Sequence, residues 1–247
     1  MNTDRTHNRT VIITGAGSGL GEATACTFAQ DGFNVACLDI NEQAAQNVAN
    51  RLNENGAKAI AIRCDVSKED DVFSAVQKTF DTFQRIDVVV NCAAVDHTLS
   101  VSDMTIAQWD QVISVNLRGP FLMAKAVLPI MKSQKYGHIV NIASTAATRA
   151  WANAAAYHAS KWGLRGFSRA LGVEGRPDNI RVTNVIPGGM KTHFFDRFVE
   201  QGIPMPDPAN LQDPANVAEV ILFAVNMPEE SCIQEVIVTP LTETSWP

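Results

Sequence analysis

Thr10-Val11-Ile12-Ile13-Thr14-Gly15-Ala16-Gly17-Ser18-Gly19-Leu20-Gly21 is the stretch from which the fold can be read. The first five residues, rich in β-branched side chains, form a buried strand by length and composition, and a glycine-rich turn follows at once. Residues 19–31 then carry a helical pattern, with Gly32 placed as a C-terminal stop. Asn34-Val35-Ala36-Cys37-Leu38 is a second strand, and Asp39 ends it. This order suits a dinucleotide. Glycines let the backbone approach a pyrophosphate, and the helix N-terminus meets its charge. An acid about 20 residues further on can accept from both ribose hydroxyls. As a plain turn, the segment would leave four glycines and Asp39 as coincidences.

The alternation continues outward. Asn41 caps a helix over residues 41–55, with Gly56 after it. Further strands are expected at 59–62, 87–90, 138–142, 182–186 and 235–238, and helices at 67–83, 106–133, 155–173 and 214–226. Strands that are apolar throughout, separated by helices, mean a parallel sheet covered on both faces. The expected fold is therefore α/β: a doubly wound, Rossmann-type parallel sheet of about seven strands. One dinucleotide-binding catalytic domain spans residues 1–247. Residues 190–213 break the rhythm with Pro204, Pro206, Pro208 and three phenylalanines, Phe194, Phe195 and Phe198. Long irregular segments inside compact domains commonly act as binding loops, so this one is expected to cover a substrate.

Composition narrows the partners. The net charge of −6 is spread along the chain without a basic block, which argues against nucleic acid or anionic membrane as a partner. No apolar run approaches the ~20 residues needed to span a bilayer, and residues 1–9 carry no hydrophobic stretch of the kind a secretory signal needs. The five cysteines are scattered without a Cys-x-x-Cys pair, and the five histidines lack ligand spacing, so neither a disulfide framework nor a metal site is expected. A cytoplasmic location is the default.

Chemistry enters at Ser144, just after the fifth strand, and at Tyr157-His158-Ala159-Ser160-Lys161, which opens a long helix. Tyr and Lys four apart lie on one helical face. An ammonium beside a phenol favours phenolate and lowers a pKa normally about 10. Such a tyrosine can take a proton from an alcohol or return one to a carbonyl, with Ser144 holding the substrate oxygen. Asp39 favours NAD, since its carboxylate would repel a 2′-phosphate and no Lys or Arg neighbours it in sequence.

With the glycine turn, Asp39, Asn116, Ser144, Tyr157 and Lys161 in place, the chain closely resembles the short-chain dehydrogenase/reductase family from Thr10 to about Val238. The Thr-Gly-x-x-x-Gly-x-Gly spacing matches its compact, single-domain branch. The resemblance implies catalytic roles for Asn116, Ser144, Tyr157 and Lys161. Asn116 would keep its helix locally opened and hold a water linking Lys161 to solvent. It implies cofactor contacts from Gly15, Ser18, Gly19, Leu20 and Gly21. Asp65 and Val66 would lie near the adenine, and Asn91 and Ala93 beside the adenosine ribose. Tyr157 and Lys161 would contact the nicotinamide ribose, and Pro187, Gly188 and Thr192 the carboxamide. It also implies a homodimer or homotetramer, formed through the helices that contain Asn116 and Tyr157, with Ala159, Trp162 and Phe167 as candidate surface positions.

Two departures stand out. The fourth strand ends Asn91-Cys92-Ala93-Ala94 where the family reads Asn-Asn-Ala-Gly. The last strand continues into Thr239-Pro240-Leu241-Thr242-Glu243-Thr244-Ser245-Trp246-Pro247 instead of Asp-Gly-Gly. By position, His97, Arg149, Trp151, Met190, His193 and Phe194 are candidate pocket residues beside Ser144. Arg149 is either a receptor for an anionic group or a surface arginine. The aromatic rim suits a secondary alcohol with apolar bulk. The expected activity is hydride transfer between NAD(H) and a secondary alcohol or ketone. The alternatives are an NADH-dependent 3-oxoacyl-thioester reductase and a non-catalytic NAD(H)-binding regulator.

Overall fold

The computed structural model describes residues 8–200 and 202–243. Seven parallel strands form one sheet: β1 (Thr10–Thr14), β2 (Asn34–Asp39), β3 (Lys58–Arg63), β4 (Val88–Asn91), β5 (Gly137–Ile142), β6 (Ile180–Pro187) and β7 (Glu235–Val238). Their order across the sheet is β3-β2-β1-β4-β5-β6-β7. The chain thus builds outward from β1 in one direction, returns, and builds outward in the other. At the β1/β4 boundary the crossovers diverge, which leaves a crevice at the carboxyl ends of the strands.

Eight α-helices cover the two faces among the described residues: α1 (Gly19–Gln30), α2 (Glu42–Glu54), α3 (Glu69–Phe83), α4 (Ile106–Ile113), α5 (Gly119–Gln134), α6 (Ala155–Gly175), α7 (Asp196–Glu200) and α8 (Pro214–Val225). The pleat of β1 divides the core. Val11 and Ile13 join Phe28, Val35, Val48 and Ile221 on one face, while Ile12 joins Leu38, Val72, Met123 and Leu171 on the other. Each such side chain taken fully out of water contributes about 1.5–3 kcal/mol. The expectation of strands apolar throughout holds for the centre of the sheet but not for its margins. β3 and β7 expose part of each strand because each has a neighbour on one side only. None of the described helices is long and apolar enough to cross a membrane.

Two expected elements differ in form. The helix expected over 106–133 is interrupted: α4 runs into a π-helical turn (Ser114–Arg118) before α5 begins. The segment 190–213 is less irregular than its prolines suggest. It leaves and returns at one neck, a parallel bridge between Met190 and Gln212, and carries 3-10 turns at His193–Phe195 and Pro208–Asn210 around α7. Its phenylalanines pack edge-on in series, Phe194 against Phe195 and Phe195 against Phe198, with centroids 5.8 and 5.3 Å apart.

Below the crevice, at the amino ends of the strands, Asp87 ties β1 to β4. Its fully buried carboxylate accepts from the Thr10 amide at 2.8 Å and from the Arg85 guanidinium at 2.7 and 2.5 Å. Removing it strands a buried N–H, at about 1–3 kcal/mol. Asp87→Ala should therefore lower stability by about 2 kcal/mol in urea denaturation, and an unchanged midpoint would contradict the assigned role.

Candidate active site

The crevice is a cleft of about 1060 Å³ that runs from Asp39 and Asp65 at one end to Ser144, Tyr157 and Trp151 at the other. Its floor is the turn between β1 and α1. Gly15 has φ +66°, and a Cβ there would lie 2.9 Å from the Ala93 backbone, so the turn can press against the end of β4 only as glycine. At Gly21 a Cβ would fall 2.0 Å from the Gly15 carbonyl, and α1 could not start where it does. Ser18, Gly19 and Leu20 complete the floor, where the unpaired amides of the first turn of α1 face the cleft. A diphosphate fits this cradle in both shape and charge.

Asp39 closes the first of these ends. Its carboxylate accepts from the Gly17 amide and from the Asn41 amide, each at 2.9 Å, so the acid is held at the lip of the glycine turn. Asp65 and Val66 line the same end, with Asp65 accepting from the Ser67 amide and hydroxyl. The sheet also brings in a cation that sequence distance concealed, because Arg63 stands opposite Asp39 in the β2–β3 register. Its guanidinium is turned to Asp71, 3.4 Å away.

At the other end, Lys161 comes off the first turns of α6 and is 2 % exposed. Its Nζ donates to the Ile142 carbonyl at 2.7 Å and stands 5.5 Å from the Tyr157 ring centroid. Burial pushes its pKa down to about 8. Cys92 is pushed up to about 12 by burial, so at neutral pH it is a small neutral side chain in the wall. Tyr157 packs on Phe194, centroids 5.6 Å apart. Ser144 caps the 3-10 turn Thr145–Ala147 by accepting from the Ala146 amide, and it lines the cleft beside Tyr157.

Asn116 sits within the π turn, 1 % exposed. Its side chain accepts from the Val95 amide and donates to the Val95 carbonyl, both at 2.8 Å, and donates to Ser160 Oγ at 3.1 Å. One amide therefore clamps the loop after β4 to the helix of Tyr157. The extra residue of the π turn is what turns this side chain inward, an arrangement recurrent at functional sites.

Pro187, Gly188 and Thr192 line the cleft, with Thr192 against Gly19: a Cβ on that glycine would meet it at 3.2 Å. Arg149, Trp151, Met190, His193 and Phe194 line the cleft as well, and Ala94 follows Ala93 along the wall. Arg149 is not a free surface arginine, because it is ion-paired with Glu243 at 3.3 Å. His193 stands at the outer lip, 81 % exposed and 2.8 Å from Asp196.

Two expected residues fall outside the wall. Asn91, expected beside the ribose, donates instead to Asn141 between β4 and β5, because a buried amide in a parallel sheet must find a partner there. His97 bonds Gln111, and it is Gln111 that faces the cleft. Several wall residues escaped sequence reasoning: Cys92, Val95, Leu211 and Glu243. Of these, Cys92 and Glu243 carried a signal, the departures at the end of the fourth strand and after the last one. Thr244, Ser245, Trp246 and Pro247 lie outside the described residues.

A family model described as short chain dehydrogenase matches residues 9–202. An uncharacterized oxidoreductase of Staphylococcus aureus is 30% identical over 234 residues, covering 95% of this chain and 98% of its own. Another, of Bacillus subtilis, is 35% identical over 183 residues, 74% of this chain and 71% of its own. Among solved structures, levodione reductase superposes with a TM-score of 0.90 at 29% identity, covering 98% of this chain and 100% of that one. A metagenomic short-chain oxidoreductase in complex with NADP superposes at 0.83 with 30% identity, covering 95% and 98%. The chain belongs to the short-chain dehydrogenase/reductase family of oxidoreductases.

Proposed function

We propose that this protein transfers a hydride between NAD(H) and a secondary alcohol or its ketone, with Tyr157 as the proton-transfer group. The supporting observation is the buried ammonium of Lys161, 5.5 Å from the Tyr157 ring at one end of the cleft, with the glycine turn along its floor. A buried positive charge this close favours phenolate over phenol. Ser144 would hold the substrate oxygen from the opposite side, and Tyr157 would remove the hydroxyl proton in oxidation or return it in reduction. Asn116 keeps the Tyr157 helix and the loop after β4 in fixed register, through Val95 and Ser160. The dinucleotide, when bound, supplies the hydride acceptor or donor. The aromatic loop 190–213, through Phe194, would exclude water from that end. No proton relay of this kind is needed by a regulator that only binds the dinucleotide.

NAD is the proposed cofactor. Asp39 already accepts two backbone N–H groups at the ribose end, so a 2′-phosphate would meet a fixed negative charge, and Arg63 is committed to Asp71. Two solved neighbours carry NADP and 5-hydroxy-NADP, so the preference for NAD rests on this chain's own acid. For assembly, we propose homo-oligomers through α5 and α6, where Phe121 and Trp162 are about half exposed and Phe121 packs edge-on against Phe167. The five free thiols fit a reducing, cytoplasmic compartment.

Fluorescence titration should show NADH binding at least tenfold tighter than NADPH, about 1.4 kcal/mol; equal affinities would contradict the role of Asp39. Tyr157→Phe should bind NADH as the parent does and lose turnover by a factor of about 10² or more, because only the proton-transfer group is gone. Near-parental rates would remove Tyr157 from the mechanism.

Lys161 also links stability to pH. Its folded pKa, about 8, lies below the unfolded value of 10.5. The folded chain therefore carries a penalty for the buried charge that is complete below pH 8 and fades as pH rises toward 10.5. Lys161→Met should accordingly be more stable than the parent at pH 7, by on the order of 2 kcal/mol once the lost hydrogen bond to Ile142 is discounted. That advantage should shrink between pH 8 and 10.5, and denaturation midpoints that stay parallel across this range would contradict the linkage.

A further inference from the structure

We propose that Arg165, oriented by Glu235, is a positioning residue of this active site. It holds the turn that Ser144 caps in register with the helix that carries Tyr157 and Lys161. Neither Arg165 nor Glu235 lines the cleft. The inference rests on the oxidoreductase reading of that cleft and deepens it by naming what aligns its two halves.

Ser144 and Tyr157 reach the cleft from different elements. Ser144 follows β5 and caps the turn Thr145–Ala147. Its Oγ accepts from the Ala146 amide at 3.1 Å and its carbonyl from the Ala147 amide at 2.8 Å, so the turn is closed on itself. Tyr157 and Lys161 belong to α6. Arg165 follows Lys161 at the same spacing of four, which puts all three on one helical face. From there Arg165 Nη1 donates to the Ala147 carbonyl at 3.0 Å. Nearer the start of α6, His158 Nδ1 donates to the Ala146 carbonyl at 2.8 Å. The turn is thus tied to the helix both before and after Lys161.

A guanidinium points in a fixed direction only when its other nitrogens are held. Glu235 on β7 takes Nε at 2.7 Å and Nη2 at 2.6 Å, which leaves Nη1 turned to Ala147. A single ammonium cannot reproduce this fork. The Glu235 carboxylate also accepts from Asn184 Nδ2 at 3.2 Å. The Arg165 guanidinium holds the Glu235 carboxyl below the usual carboxylate range, so the pair stays charged at neutral pH.

The sheet beneath supplies the anchor. Asn91, Asn141, Asn184 and Glu235 are successive register partners from β4 to β7, so their side chains share one face. The three amides are buried, where such groups need partners. Asn91 donates to Asn141, and Asn141 to Ser168 Oγ at 2.9 Å, while Asn184 donates to Glu235. The polar row therefore meets α6 at two neighbouring points, Ser168 and Arg165. Apolar contacts tolerate sliding of a helix along a sheet, and directional bonds at two points resist it.

Ser144 and Tyr157 must both reach one substrate oxygen, and a displacement of about 1 Å can cost on the order of 10²-fold in rate. Without Arg165 the Ala147 end of the turn loses its bond to α6. The diphosphate cradle is built by the turn between β1 and α1, so dinucleotide binding should be spared.

The test compares the parent with Arg165→Met, Arg165→Lys and Glu235→Gln, on the alcohol or ketone that the parent turns over fastest. For each, kcat, substrate KM, NADH affinity and the urea midpoint are measured. Arg165→Met should lose kcat by about tenfold or more and keep its NADH affinity within about twofold. Arg165→Lys can pair with Glu235 but cannot also reach Ala147. Its kcat should fall as well, while its urea midpoint stays near the parent's. Glu235→Gln leaves Nη1 beside its carbonyl and loosens the fork, so its kcat should fall by less than that of Arg165→Met. A purely structural role would lower the urea midpoint and leave the kcat of the folded protein unmoved. Parental kcat in Arg165→Lys, or in a folded Arg165→Met, would overturn the inference, as would a fall in kcat matched by an equal loss of NADH affinity. If Arg165→Met does not fold, Arg165→Lys decides. A parent that turns over no alcohol or ketone would overturn the oxidoreductase reading, and the inference with it.

Discussion

Contact between the turn after β1 and the end of β4 is the constraint on which the rest of this molecule depends. Gly15 lies so near Ala93 that a single methyl would force the two strands apart. That contact exists because β1 pairs with both β2 and β4, so the sheet grows in two directions from one strand. The same divergence opens the cleft above it and brings the start of α1, the tip of β2 and the ends of β4 to β6 to one place. Fold and site are two consequences of one packing decision.

Electrostatically, the site trades stability for chemistry. Lys161 is buried with no carboxylate partner among the described residues and leans on a main-chain carbonyl, which satisfies one of its protons but does not neutralise its charge. A protein optimised for stability would place an apolar residue there. The surrounding structure supports the cost: Asn116 locks the loop after β4 to α6, and α6 is twenty-one residues long, with one face buried against β6. Such local penalties are characteristic of functional centres.

Much of this was legible beforehand. The strand–glycine–helix–strand order, Asp39 and the Tyr157/Lys161 spacing are local patterns, and local patterns survive in one dimension. The seven strands fall where β-branched runs stand, with ends displaced by one or two residues. What sequence could not supply was pairing. Nothing in the spelling of Asn91 says that Asn141 will take its amide, or that Arg63 will stand across from Asp39. The π turn does not show in composition, because its five residues are ordinary for a helix. Only the family resemblance, through Asn116, implied a local opening there, and the bonds of Asn116 to Val95, twenty-one residues away, were not legible. Glu243 was likewise invisible as a pocket residue. Its unusual context marked the segment after β7 as different, but only the bonds to Val238 and Ala209 carry it to Arg149.

The central claim is that this cleft transfers a hydride between NAD(H) and a secondary alcohol or its ketone. The most direct measurement follows NADH absorbance when the protein is given NAD and a panel of polyols, cyclic alcohols and aryl alcohols at mildly alkaline pH, with the reverse reaction run from the matching ketones. The account predicts NADH formation with at least one uncharged secondary alcohol and its consumption with the corresponding ketone. Tight NADH binding without turnover of any alcohol or ketone in either direction would contradict it.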